Sequence, residues 1–219
     1  MAQHNKEHHG VEVKEACSKV FDLLKDDGTA RAYKRSGEYN LTNTAKVLDA
    51  IHRCQNIGVL AANATKNKLR GAFSSIIEHG KSLGHGVKAF AEGNFFDTTS
   101  RITHLIHRLS PETIKTQDLA PFLSYLKSHR EALDTPERHH WFHRAAGTFK
   151  DVPVVDLQTK SLTKGKELVL RAKITNLLGE EISDSNLKLK GALYGVDEKD
   201  QTVAIASGIN FERKGNVFE

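Results

Sequence analysis

The chain has 219 residues, of which 38% are hydrophobic and 27% charged, and its formal net charge at pH 7 is +5. This is ordinary composition for one or two globular domains, and four Pro and sixteen Gly exclude collagen-like or Pro-rich disorder. No stretch of about 18 apolar residues occurs, so we expect no membrane-spanning helix in this chain.

The positive charge is concentrated in the first part of the chain. Residues 1–150 hold 22 Lys and Arg against 16 Asp and Glu, and all twelve His, whereas residues 151–219 hold ten basic against eleven acidic residues. A basic region favours anionic partners, because summed charge attracts phosphates and acidic surfaces. Basic and acidic residues are interspersed, however, and no run of five basic residues occurs. A solvated helical surface is the simpler interpretation, and we expect no nucleic-acid partner.

The first 150 residues predict a succession of short amphipathic helices with short links. The predicted helical segments are 11–28, 42–54, 63–84, 99–110, 118–133 and 135–147. In the first segment the residues at helical spacing are Val13, Ala16, Val20, Leu23 and Leu24. In the third segment the residues expected to face inward are Leu69, Phe73, Ile76, Ile77 and Leu83. Without a fixed repeat period, this pattern favours an all-α domain of stacked helical hairpins over residues 1–150.

Capping residues, Pro and Gly mark the predicted helix ends. Thr42 or Asn43 is the predicted cap of the second helix, and Gly80 opens the glycine-containing stretch that ends the third. Pro121 suits the first turn of its helix, and Gly147 is the predicted stop of the last one.

From about residue 150 the apolar residues alternate, as in strands. VPVVDL is a short β-branched run, and KELVLRAKITN, NLKLKGAL, TVAIAS and NVFE follow at roughly ten-residue spacing. Such spacing predicts an antiparallel β-sandwich over 151–219. These residues are fewer than the roughly 100 of a typical sandwich domain, and the chain stops inside an apparent strand. We therefore expect an incomplete sandwich, and an α+β multidomain fold in a piece of a longer protein.

Two histidine pairs are the strongest candidates for a metal site. His139 and His143 are four residues apart and His104 and His107 three apart, so each pair shares one helix face. The metalloprotease pattern needs Glu directly after the first His, and that position is His140. No third ligand is identifiable, so surface histidines are the simpler interpretation and we expect no metal or other cofactor.

No catalytic constellation is apparent. HGKSLGHG lacks the residue order of a phosphate-binding loop and follows a predicted helix rather than a strand. Cys17 and Cys54 are too far apart in sequence for a metal or redox motif; we interpret them as two thiols, with one disulfide as the alternative. We expect a protein that is not an enzyme.

Two N-glycosylation patterns are present, at Asn40-Leu41-Thr42 and Asn63-Ala64-Thr65. Modification of Asn40 or Asn63 requires entry into the lumen of the endoplasmic reticulum. The polar opening MAQHNKEHHG predicts no signal peptide in this chain.

Four segments of the β region carry a resemblance to a known family: VPVV (152–155), LRAKITNLLGEEI (170–182), LKLKGA (187–192) and GNVFE (215–219). In this order and spacing they resemble the ribophorin II family, the non-catalytic subunits of the oligosaccharyltransferase complex. The resemblance continues more faintly upstream through HGVKAFAEG, TSRITHLIHRL and ETIKTQDLAPFLSYL. It covers about residues 60–219, and its motifs are structural: Thr175 and Asn176 in TNLLGEE are expected to satisfy backbone groups at a turn.

The resemblance implies a scaffold that supports protein N-glycosylation in the endoplasmic reticulum. Its partners would be the other oligosaccharyltransferase subunits, one of which performs the transfer. Family members have a lumenal helical domain, a lumenal β-sandwich and C-terminal membrane helices, so membrane association would depend on segments absent from this chain. Docking would use apolar strand faces and sheet edges. The residues expected to serve in docking or in the core are Val154, Val155, Leu170, Ile174 and Leu189.

The alternative is a basic helical adaptor that binds nucleic acid or an acidic protein surface. Binding of this kind would weaken steeply with ionic strength. It would use Lys66, Lys68, Arg70, Arg101, Arg108, Arg138 and Arg144.

Overall fold

The computed structural model describes most of the chain, and its described residues form a mixed α and β protein. They are 2–26, 30, 40–84, 86–91, 93–109, 114–133, 135–157, 170–182, 186–196, 201–215 and 217–219, with the backbone alone given for 2–9, 62–64, 132, 137, 194, 196 and 202. The chain folds into two compact units, Met1–Lys150 and Asp151–Glu219. The first unit contains the helices and one small hairpin, and the second contains the remaining strands.

The helical unit has six α-helices within the described residues. They are α1 (Ala2–Leu23), α2 (Leu41–Asn56), α3 (Ala62–Glu78), α4 (Phe95–Leu109), α5 (Thr116–Ser128) and α6 (Pro136–Thr148). Between α3 and α4 lies the hairpin of β1 (Lys81–Gly84) and β2 (Val87–Ala89), and a 3₁₀ turn, Arg130–Ala132, follows α5.

Helix α4 is the centre of this unit and contacts α2, α5 and α6. Its apolar side chains Ile102, Leu105 and Ile106 are fully buried. Between β2 and α5, Phe90 stacks on Phe122 with ring centroids 4.4 Å apart. The helical core is therefore built around one buried helix rather than around equivalent hairpins.

The structure corrects the predicted face of α1. Of the predicted stripe, Val13 and Leu23 are 40% and 39% exposed and Leu24 is buried, whereas Cys17, which lies outside the stripe, is buried as well. The reason is the neighbouring helix: Cys17 is joined to Cys54 of α2 by a disulfide, with their Cα atoms 5.8 Å apart. The interpretation of the cysteines as two thiols was wrong, because sequence spacing does not show that α1 and α2 pack together.

Two helix starts also differ from the prediction. Helix α2 is capped by Asn40, whose side chain accepts a hydrogen bond from the backbone N–H of Asn43 at 2.7 Å. Thr42 and Asn43 lie inside the helix. Helix α5 begins at Thr116, so Pro121 is in its second turn rather than its first.

The third predicted helix is shorter than its apolar pattern suggests. Helix α3 ends at Glu78, and Leu83, predicted on its buried face, is 41% exposed in β1. Directly after the helix, Gly80 packs so closely against the ring of Phe122 that a Cβ there would lie 2.4 Å from it. Gly147 does not stop α6, which continues to Thr148.

The second unit contains two small antiparallel sheets. One has the order β3-β4-β8-β7 and the other pairs β5 with β6. The strands are β3 (Val154–Leu157), β4 (Ala172–Thr175), β5 (Lys190–Val196), β6 (Thr202–Asn210), β7 (Arg213–Lys214) and β8 (Val217–Phe218). Ala172, Ile174 and Phe218 form a buried cluster. Residues flanking the β5–β6 hairpin pack against this cluster: Leu187, Leu189 and Phe211.

Asn176 organises the loop that follows β4. Its Oδ1 accepts hydrogen bonds from the backbone N–H groups of Leu178 and Glu180, both at 3.0 Å. Its Nδ2 donates to the carboxylate of Glu180 at 2.7 Å. Asn176 is buried, and it satisfies backbone groups at the turn, as its position in TNLLGEE predicts.

Candidate functional site

A cleft in the helical unit is the candidate site. It has a volume of about 480 Å³ and lies where α2, α4 and α6 meet. It is lined by His52, Asn56, His104, Arg108, His143, Arg144 and Gly147.

Helical periodicity explains how these residues come together. Each of the three helices contributes two lining residues four positions apart, and residues at this spacing share a helix face. The pairs are His52 and Asn56, His104 and Arg108, and His143 and Gly147. The cleft therefore depends on three helix faces turning toward one another.

His104 forms a buried part of the cleft wall. It is only 2% exposed, and its Nδ1 lies 2.7 Å from Oγ1 of Thr148. The Thr148 hydroxyl donates to the backbone carbonyl of Arg144 at 2.9 Å. Because the hydroxyl proton of Thr148 is used in that bond, its oxygen accepts a hydrogen bond from Nδ1–H of His104. In the neutral His104 ring the lone pair is therefore on Nε2. Nε2 has no hydrogen-bond partner among the described residues.

The electrostatic environment keeps His104 neutral. Burial, and then the positive charges of Arg144 and Arg108, lower its pKa to about 4. Burial followed by the charge of Arg144 also lowers the pKa of His52. Burial is the larger cause of both shifts, and the charge of Asp49 partly opposes the lowering of the His52 pKa.

Trp141 contacts Arg144, which lines the cleft, and Arg101, which does not, and Asp49 pairs with two arginines outside the cleft. The guanidinium groups of Arg101 and Arg144 lie over the Trp141 ring, 4.7 and 5.0 Å from its centroid. Asp49 lies 3.8 Å from Arg101 and 3.0 Å from Arg53, and neither of these arginines lines the cleft. None of the described residues that do line it is acidic.

The two predicted histidine pairs have different environments. His139 and His143 lie side by side on the exposed face of α6, with ring centroids 6.0 Å apart. His104 is buried, and His107 packs against Phe149 with centroids 5.0 Å apart. The interpretation of all these residues as surface histidines was therefore wrong for His104. Within the described ranges, no group of three or more His, Cys, Asp or Glu is placed to hold a metal ion.

The residues predicted to serve in docking or in the core of the second unit differ in how much of each side chain is exposed. Val154 and Ile174 are buried, and Leu189 packs against the buried cluster. Leu170 is partly buried. Val155 is 42% exposed on β3 and is available for contact with another molecule.

Another exposed apolar surface lies on β6. Val203 and Ile205 are 41% and 63% exposed, and residues two apart in a strand share one face. This surface, Val203 with Ile205, was not singled out from the sequence, although the alternation in TVAIAS carries the signal.

The seven basic residues of the predicted adaptor surface do not form one patch. Lys68 donates to the backbone carbonyl of Phe21 at 3.3 Å, and Arg101 pairs with Asp49. Of the seven, only Arg108 and Arg144 line the cleft. Those outside it are Lys66, Lys68, Arg70, Arg101 and Arg138.

The two glycosylation patterns lie at helix starts. Asn40 caps α2 through its side chain. Asn63 belongs to α3, although its side chain lies outside the described residues, and Thr65 of the same pattern is buried. The use of either asparagine stays a prediction.

Comparisons of the chain with protein-family models, with curated proteins and with solved structures found no match. Among the residues that the structure describes, no helix combines the length and the apolar character needed to cross a membrane.

Proposed function

We propose that this chain is part of a non-catalytic subunit of oligosaccharyltransferase that supports protein N-glycosylation in the endoplasmic reticulum. Its two units would be a lumenal helical domain, 1–150, and an incomplete β-sandwich, 151–219. The proposal rests on the resemblance to ribophorin II.

The arrangement of the resembling segments is the observation that carries the proposal. VPVV leads into β3, LRAKITNLLGEEI holds β4 and its Asn176 loop, and GNVFE holds β8. These three strands are neighbours in one sheet, although 59 residues lie between the first segment and the last. LKLKGA supplies Leu187 and Leu189, which pack on the same sheet. The likeness thus describes one packed module rather than scattered matches.

The disulfide supports a lumenal location. Disulfides persist in oxidising compartments such as the lumen of the endoplasmic reticulum and are rare in the cytosol. The Cys17–Cys54 bond is therefore in keeping with the proposed compartment.

Docking would use the exposed apolar surface of Val203 and Ile205. Apolar side chains at the centre of an interface become fully buried on association, and extended strands add backbone hydrogen bonds at a sheet edge. Across the described residues, β6 pairs only with β5. Its exposed apolar face suits the apolar surface of a neighbouring subunit.

The test is an affinity purification of the full-length protein from detergent-solubilised membranes of the endoplasmic reticulum, with the bound proteins identified by mass spectrometry. We expect the catalytic oligosaccharyltransferase subunit and its companions to be recovered. Recovery should fall at least tenfold for Ile205→Asp, because a charge would be buried at the interface.

The matched control is Ala204→Asp, which adds the same charge at a neighbouring exposed position on the opposite face of β6. Equal losses from both variants would contradict the assigned docking surface. Failure of the unchanged protein to recover any oligosaccharyltransferase subunit would contradict the proposed function itself.

A further inference from the structure

We propose that the cleft between α2, α4 and α6 binds the phosphate group of a small phosphorylated molecule. This inference is independent of the proposed scaffold function, because it concerns side chains of the helical unit alone. The first observation behind it is the positive charge of the cleft wall: two arginines line the cleft, and none of its described lining residues is acidic.

The arginines approach from two different helices. Arg108 comes from α4 and Arg144 from α6, so an anion in the cleft would be held between two guanidinium groups. Each group presents planar, forked donors that match the oxygen atoms of a phosphate. Arg144 is already oriented over the ring of Trp141, which reduces the conformational entropy lost on binding.

The remaining lining residues are polar and neutral. Asn56 Nδ2 lies 3.4 Å from Nε2 of His52, and His104 is held neutral by burial and by the two arginines. The Asn56 amide and the His52 ring can donate hydrogen bonds to phosphate oxygens or accept them from a phosphate hydroxyl, whereas Nε2 of His104 can only accept. A cation would be repelled by the arginines, so this combination selects for an anion.

The size of the cleft points to more than a bare phosphate ion. Sites for small molecules and cofactors occupy about 300–1,000 Å³, and this cleft of about 480 Å³ falls within that range. At its α6 edge, Gly147 leaves open space, because a Cβ there would meet no atom within 4 Å. The phosphate would sit between the arginines, with the rest of the ligand toward Gly147.

Isothermal titration calorimetry of the full chain with inorganic phosphate tests the binding of the anion. We expect one saturable site. Because inorganic phosphate would fill only part of the cleft, its binding should be weak, with a dissociation constant in the millimolar range and below about 10 mM. Arg108→Gln should weaken binding at least tenfold, and Arg108→Lys should weaken it less because the charge is kept.

The matched control is Arg70→Gln, which removes an exposed arginine of α3 outside the cleft. Its affinity should equal that of the unchanged protein. An equal loss in Arg70→Gln and Arg108→Gln would overturn the proposal, since it would show binding to overall charge. Absence of saturable binding by the folded, unchanged protein would overturn it as well.

Nuclear magnetic resonance locates the binding. Phosphate should offset the charges of Arg108 and Arg144 and so raise the pKa of His104, which its ring C–H resonances would report. A pKa of His104 that does not change at saturating phosphate would place the anion elsewhere and overturn the assigned site.

The class of ligand is tested with glucose 6-phosphate and with vesicles that contain phosphatidic acid. We expect glucose 6-phosphate to bind at least as tightly as inorganic phosphate and to compete with it. Vesicle binding that is lost in Arg108→Gln, together with no binding of glucose 6-phosphate, would overturn the assignment of a small soluble ligand in favour of a lipid headgroup.

Discussion

Burial and nearby positive charge both oppose protonation of His104. Its pKa is lowered from 6.5 to about 4 in the folded protein. Below pH 6.5 the unfolded chain therefore takes up a proton that the folded protein does not. The stability associated with neutral His104 is fully present above pH 6.5 and is lost as the pH falls toward 4.

We expect His104→Gln to flatten the dependence of stability on pH. In urea unfolding experiments between pH 7 and 4, in buffers without phosphate, the free energy of unfolding of the unchanged protein should fall more steeply. The difference in slope should approach about 1.4 kcal/mol per pH unit, the value for one proton.

The matched control is His139→Gln, which replaces an exposed histidine of α6. Its profile should follow that of the unchanged protein. Identical slopes for the unchanged protein and for His104→Gln would contradict the assignment of His104 as a buried, neutral ring.

Sequence patterns identified histidines of this region but not their roles. His104 was paired with His107 because of their spacing, whereas in the structure its hydrogen-bond partner is Thr148, 44 residues away. Arg108 and Arg144 were predicted as parts of a dispersed basic surface, and their convergence requires the packing of α4 on α6. Periodicity gives the face on which a residue lies, but it does not give the helix that this face meets.

At the scale of elements, the disulfide is the strongest constraint on α1. It closes a loop between residues 37 positions apart. Closing a loop of this length reduces the entropy of the unfolded chain and contributes about 4 kcal/mol to stability in the chain-entropy model.

We expect the double variant Cys17→Ala and Cys54→Ala to have a clearly lower Tm than the oxidised protein. Reductant should lower the Tm of the unchanged protein and leave that of the double variant unchanged. Alkylation followed by mass spectrometry provides the control, and two reactive thiols in the oxidised, folded protein would contradict the bond.

Helix prediction succeeded where burial follows amphipathic spacing. Leu69, Phe73 and Ile76 of α3 were expected on its inner face and are fully buried. It failed for α1, where the buried side is set by the disulfide and not by the apolar stripe. The β1–β2 hairpin was also missed, because its four-residue strand is exposed throughout and carries no alternation of burial.

At the scale of the whole molecule, each compact unit has its own buried residues. The helical unit is centred on α4, and the strand unit on the cluster of Ala172, Ile174 and Phe218. The alternation of apolar residues after residue 150 predicted strands where the structure describes them, and residues 166–169 of the predicted KELVLRAKITN strand lie outside the described residues. The pairing of β4 with β8 depends on contacts between distant segments that a local pattern does not contain.

We expect substitutions in the two units to affect different unfolding transitions in differential scanning calorimetry. Cys54→Ala should lower only the transition of the helical unit. Asn176→Ala should lower only that of the strand unit, by about 1–2 kcal/mol, because it removes the side-chain acceptor of two backbone N–H groups in the loop. One transition shifted equally by both variants would contradict separate unfolding of the units.

The covalent link between α1 and α2 also affects how cleavage of this chain would be detected. A single cut at any peptide bond between Cys17 and Cys54 yields two polypeptides that remain joined through sulfur. The nicked molecule would keep the migration of a single species on a non-reducing gel and separate into two bands only after reduction. Processing within this stretch would therefore escape any assay that omits a reducing agent.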